Sequence, residues 1–108
     1  MKFGLRDSDL AEINSILERF PEIDSAKIFG SRAMGTHRPG SDVDIALFGA
    51  GVDLDTVAKV HDLLEEQSRM PYLFDVVDFT HLKHQPLRDH IDRVGIVIYF
   101  RATKNSPA

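Results

Sequence analysis

IFGSRAMGTHRPGSDVDIALF, residues 28–48, reads as a strand, a glycine turn, a polar loop and a second strand. Side chains alternate along a strand, so Asp42 and Asp44 share one face, roughly 7 Å apart at Cα. Val43, Ile45 and Leu47 point the other way and form a candidate core. Two acids side by side are costly unless a cation neutralises them. Upstream, Gly30 and Ser31 end the first apolar run, Ala26, Ile28 and Phe29. A glycine there lets backbone N–H groups approach an anion closely, and a helical turn after it aims its positive end the same way. One stretch thus offers a phosphate cradle and a pair of metal ligands, the makings of a metal–nucleotide site.

Composition bounds the rest. With 108 residues, 43% of them hydrophobic, the chain can bury one core and has little room for a second. The expectation is one domain over residues 1–102 and a disordered tail over 103–108. Thirteen basic against seventeen acidic residues give a net charge of −4. That argues against strong nucleic-acid binding by the chain alone. The absence of cysteine excludes disulfides and thiolate metal sites. The opening MKFGLRDSD lacks the apolar core of a signal peptide, and no apolar run reaches the roughly 20 residues of a membrane helix. A cytoplasmic protein without a membrane span is expected.

The remaining elements follow from periodicity. Leu10, Ile13, Leu17 and Phe20 mark an amphipathic helix over residues 9–20, with Asp9 and Glu12 as a capping box and Pro21 as its stop. Residues 25–29 are the first strand and 42–48 the second. Asp53 or Asp55 caps a helix running to about Gln67, with Leu54, Val57, Val60, Leu63 and Leu64 as its apolar face and Asp62, Glu65 and Glu66 solvated. YLFDVVDF, residues 72–79, is a third strand. Pairing beside the second would bring Asp75 to the face of Asp42 and Asp44, while Asp78 faces away. A helix from Pro86 to Arg93 and a final strand, GIVIYF at 95–100, complete the order. That last strand is apolar on both sides, an edge able to pair with another copy. The architecture expected is α/β (α+β), a small mixed sheet covered by helices. His37 reads as a loop histidine, and His81, His84 and His90 are too irregular to make a metal site. Arg38 reads as a loop cation. Arg32 reads equally well as a surface cation or as a contact to the triphosphate or the acceptor.

Gly30-Ser31, ten residues, then Asp42-x-Asp44 resembles the signature of the DNA polymerase β-like nucleotidyltransferases. In particular it is similar to the minimal nucleotidyltransferases (MNT), the MntA-type antitoxins of HEPN/MNT toxin–antitoxin pairs. The resemblance covers about Leu10 to Tyr99 and implies the polymerase β-like fold. It implies ATP as substrate and two Mg²⁺ ions held by Asp42, Asp44 and Asp75, the three catalytic carboxylates. Asp75 would take the proton of the acceptor hydroxyl, and Gly30, Ser31 and Arg32 would contact the nucleotide. It implies a helical HEPN-domain toxin as partner, with AMP placed on one of its tyrosines. Two other readings stay open: a binding-only antitoxin that masks its partner, and a transferase acting on RNA or a small hydroxylated compound.

Overall fold

The computed structural model describes residues 1–101. The expected tail over 103–108 lies outside them. Helix α1 spans Asp7–Leu17, strand β1 Ser25–Phe29, the short helix α2 Gly30–Met34 and strand β2 Val43–Phe48. Helix α3, Leu54–Asp62, continues as a π-helical turn, Leu63–Gln67. Strand β3 is Phe74–Asp78, helix α4 Gln85–Val94 and strand β4 Ile96–Phe100. Among the described residues no helix is long and apolar enough to cross a membrane.

The four strands form one mixed sheet in the order β3-β2-β1-β4. The β1–β2 and β1–β4 pairs are antiparallel, and β2–β3 is parallel. A parallel pair cannot be joined by a tight turn, so the chain crosses over through α3. The alternation expected of β2 holds. Val43, Ile45 and Leu47 are fully buried, in one cluster with Ile28 of β1, Val76 of β3, Ile13 and Leu17 of α1, Val60 of α3 and Leu64 of the π-helical turn. On the opposite face Phe29 and Ala46 pack with Phe79 and with Ile91 of α4. Strand β4 is a sheet edge, and Ile96, Val97 and Phe100 are exposed on it.

Three local expectations need correction. Helix α1 starts at Asp7 and ends at Leu17, ahead of Pro21, and its capping box joins Arg6 to Asp9: the Arg6 backbone N–H donates to Asp9 Oδ2 at 3.0 Å. Asp9 therefore closes the first turn from inside the helix, and Glu12 has no part in it. Leu54 is 87% exposed, because it sits at the first turn of α3, before that helix settles on the sheet. Glu65 is half-buried: its Oε2 accepts the backbone N–H of Phe74 at 2.7 Å and also meets His61. It ties down the start of β3, where the parallel ladder would otherwise leave that donor open. Asp53 caps α3 as expected, accepting from the Thr56 backbone N–H at 3.0 Å. Asp78 turns to His81, whose Nδ1 lies 2.7 Å from Oδ2.

Candidate functional site

The site grows from strand register. Asp44 pairs with Asp75 across the parallel β2–β3 ladder and with Phe29 across the antiparallel β1–β2 ladder. Asp42 lies two residues before Asp44, just outside β2. All three carboxylates therefore gather at one end of the sheet, beside the point where β1 turns into α2. Asp42 and Asp75 are exposed and Asp44 is half-buried. Among the described residues none of the three side chains accepts a hydrogen bond or joins an ion pair. Burial pushes the Asp44 carboxyl up to about 6, with further upward pressure from Asp75 and Asp42 and a smaller downward pull from Arg32. Three carboxylates gathered with no side-chain partner among the described residues, one of them raised in pKa by burial, make this end of the sheet the candidate binding site.

Gly30 is what lets the cluster form. Its φ is +71°, in the left-handed region, and it opens α2 directly after Phe29. A Cβ at this position would lie 2.1 Å from Asp44 Oδ2, so the carboxylate rests against bare backbone. Ser31 follows, half-buried, its hydroxyl making no hydrogen bond among the described residues. Gly35, at φ +77°, ends the turn by donating its N–H to the Ser31 carbonyl. The loop back to Asp42 is braced internally: Arg38 N–H donates to Ser41 Oγ and Ser41 N–H to the Arg38 carbonyl, both at 2.9 Å.

Arg32 is not the surface cation that one reading of the sequence offers, but turns in beneath the loop. It is 2% exposed. Nη1 donates to the Phe3 carbonyl at 2.9 Å, Nη2 to the Ser41 carbonyl at 2.8 Å, and Nε to the Ser41 and Asp42 carbonyls at 3.2 and 3.3 Å. Its guanidinium carbon stands 5.2 Å from the centre of the Tyr72 ring. The sequence could not show this, because Phe3 and Tyr72 are far from Arg32 along the chain. The signal that was available is positional: an arginine two residues after Gly30 on a short helix must point either out or under the loop.

The donor set suits a divalent cation. It consists of carboxylate oxygens alone, the ligands of Mg²⁺. As they stand, no three Asp, Glu or His side chains among the described residues meet the spacing of a closed metal site. A depression of about 880 Å³ lies between α3 and β3 and takes in Asp75 but neither Asp42 nor Asp44.

The family model described as Polymerase beta, Nucleotidyltransferase matches residues 11–104. No curated protein matches the chain. Among solved structures, a toxin–antitoxin crystallised with AMP-PNP superposes with a TM-score of 0.70 at 21% identity, over 93% of this chain and 77% of that one. The toxin–antitoxin MntA-HepT gives 0.68 at 19%, over 93% and 77%. The complex of a tri-AMPylated Shewanella oneidensis HEPN toxin with MNT antitoxin gives 0.68 at 18%, over 94% and 77%. At these identities the likeness is one of fold.

Proposed function

Since the chain belongs to the polymerase β nucleotidyltransferase family, we propose that it transfers AMP from ATP to a hydroxyl of a helical HEPN-domain toxin, a tyrosine for preference, and so acts as the antitoxin of the pair. The observation that carries this reading is the register that sets Asp44 beside Asp75, with Asp42 next in line and Gly30 beneath. The company of the fold supports the partner: structures of like architecture include one with AMP-PNP and one with an AMPylated HEPN toxin.

The chemistry required is modest in covalent terms. The acceptor oxygen attacks the α-phosphorus, the bond to the bridging oxygen breaks, pyrophosphate leaves, and the hydroxyl proton must go to a base. Asp75 is exposed at the rim, free to accept that proton at a carboxylate oxygen. Asp42, Asp44 and Asp75 would hold Mg²⁺, which neutralises phosphate charge and orients the triphosphate when bound. Asp44 must be ionised for that, and a cation beside it would favour the ionised form. Gly30 leaves room for phosphate oxygens to approach backbone, and the Ser31 hydroxyl is free to donate to them.

The test uses the partner. Wild-type protein, HEPN toxin, ATP and Mg²⁺ should give a toxin heavier by one or more AMP groups in intact-mass spectra, and the mark should persist after the two proteins are separated. The Asp42→Ala/Asp44→Ala variant should fold and still dock, yet transfer at least roughly 10³-fold more slowly. An unmodified toxin neutralised equally well by the double variant would mean masking by binding alone.

A further inference from the structure

Asp42 has a placement problem that the rest of the site does not share. Asp44 and Asp75 are fixed by strand pairing. Asp42 precedes β2, is exposed, and has no side-chain partner among the described residues. Its position must come from its backbone. The group that holds that backbone is Arg32, through the carbonyls of Ser41 and Asp42.

The arrangement around Arg32 is costly and therefore informative. A buried cation normally pairs with a carboxylate. Among the described residues Arg32 has no ion pair, and all its hydrogen bonds go to main-chain carbonyls. The chain folds over it at the amino end. Phe3 and Gly4 both adopt positive φ, +59° and +71°, in a tight turn closed by the Lys2–Leu5 bridge. For a bulky residue such as Phe3 that conformation is strained. It delivers the Phe3 carbonyl to Nη1. At Gly4 the positive φ favours glycine, and a Cβ there would lie 2.4 Å from His37 Nε2 and 2.8 Å from Arg32 Nη1. The guanidinium also lies over the Tyr72 ring, in cation–π range, and the Tyr72 hydroxyl donates to Asp9 Oδ2 at 2.7 Å. Asp9 is itself buried and held by Arg6.

We infer that Arg32 is a positioning residue whose buried guanidinium, clamped between the Phe3 carbonyl and the Tyr72 ring, sets the Ser41–Asp42 backbone so that Asp42 can share a cation with Asp44. This rests on the metal-site reading above. It requires the planar fork of arginine. A lysine ammonium could keep the charge but not reach carbonyls on both sides at once.

The experiment compares Arg32→Lys and Tyr72→Leu with wild type and with Phe79→Ala, which opens the smaller core cluster, one that includes neither Phe3 nor Tyr72. Two quantities are read on folded full-length protein. One is amide hydrogen exchange at Arg38, Ser41 and Val43 without metal, where local opening is seen directly. The other is Mn²⁺ affinity measured by electron paramagnetic resonance, with no nucleotide. Arg32→Lys should speed exchange in the loop and weaken Mn²⁺ binding by roughly tenfold or more, the usual penalty for losing a group behind a metal ligand. Tyr72→Leu, which keeps the carbonyl bonds, should do the same more weakly and stands in should Arg32→Lys not fold. Phe79→Ala should lower the melting temperature and leave both readouts at wild-type values. Unchanged loop exchange in the clamp variants would overturn the inference. Faster exchange in a protein whose wild type binds no Mn²⁺ would also overturn the positioning role, while marking the metal site itself as the point of failure.

Discussion

Along β2 the two faces live under opposite rules. Val43, Ile45 and Leu47 are fully buried against α1 and α3, surrounded by other apolar side chains. Asp44, interleaved with them, is flanked by two further carboxylates and has no ion-pair partner among the described residues. At the start of the strand one face lowers the free energy of the fold and the other raises it, whereas further along that second face Ala46 is buried with Phe29, Phe79 and Ile91. The difference teaches where stability and function were separated: a strand period of two puts them in one segment without mixing them. A slip of one residue would exchange the faces, so the hydrophobic side fixes the register that the acidic side needs.

The comparison can be broken most strongly from the packed side. Ile45→Ala removes a fully buried side chain and should cost about 3 kcal/mol through lost burial and the cavity left behind. Denaturant titration reads that loss. Transfer per folded molecule should stay near wild type below the melting transition, because Ile45 faces away from the carboxylates. A fall in turnover as large as the fall in stability would show that the faces are not independent.

Gly30 sits where the faces meet, and Gly30→Ala should show both kinds of effect. The positive φ alone costs about 1–2 kcal/mol for an alanine. The added Cβ also drives into Asp44 Oδ2, 2.1 Å away, so the carboxylate must move. Calorimetry should therefore find weakened Mg·ATP binding in a protein of only modestly lowered stability. Wild-type affinity in this variant would mean that Asp44 can be displaced without harm.

What was legible in the sequence divides along the same line. Strand alternation, the Gly30-Ser31 turn and the Asp42/Asp44 pair could be read because each signal is local. The pairing of Asp75 with Asp44 could be anticipated from a third strand laid beside β2, but its exposure could not, because the apolar run FDVVDF does not reveal that β3 is a sheet edge. Arg32 resisted reading because its partners, Phe3, Ser41, Asp42 and Tyr72, come from separate parts of the chain. Glu65 resisted for a similar cause: its acceptor role depends on where β3 begins, nine residues on. Leu54 was misread because helical periodicity shows which side chains share a face, not where the helix first touches the sheet.

The smallest effect is the sharpest probe of the acidic face, since its sign is opposite to that of most substitutions. Asp44 in the folded protein keeps its proton up to about 6, against 3.8 as its ordinary value. Below about pH 4 both folded and unfolded chains carry the proton, and the residue is neutral to stability. Between there and pH 6 the folded chain binds more proton than the unfolded one, so stability from this group falls as pH rises. Above 6 the full penalty of a half-buried anion beside two others is present. Asp44→Asn stays uncharged at every pH. It should therefore be more stable than wild type at pH 8, by about 1 kcal/mol once solvent screening of this half-exposed group is allowed for. The gain should shrink towards zero as pH approaches 4. Urea titrations of both proteins at pH 4.5, 6 and 8, without divalent cations, measure this directly. Mg²⁺ should reverse the order at pH 8 if it binds, because it stabilises the wild-type site and has lost a ligand in the variant. A variant less stable than wild type at pH 8 without metal would mean that the Asp44 carboxylate is held by favourable contacts, and that the acidic face is part of the framework after all.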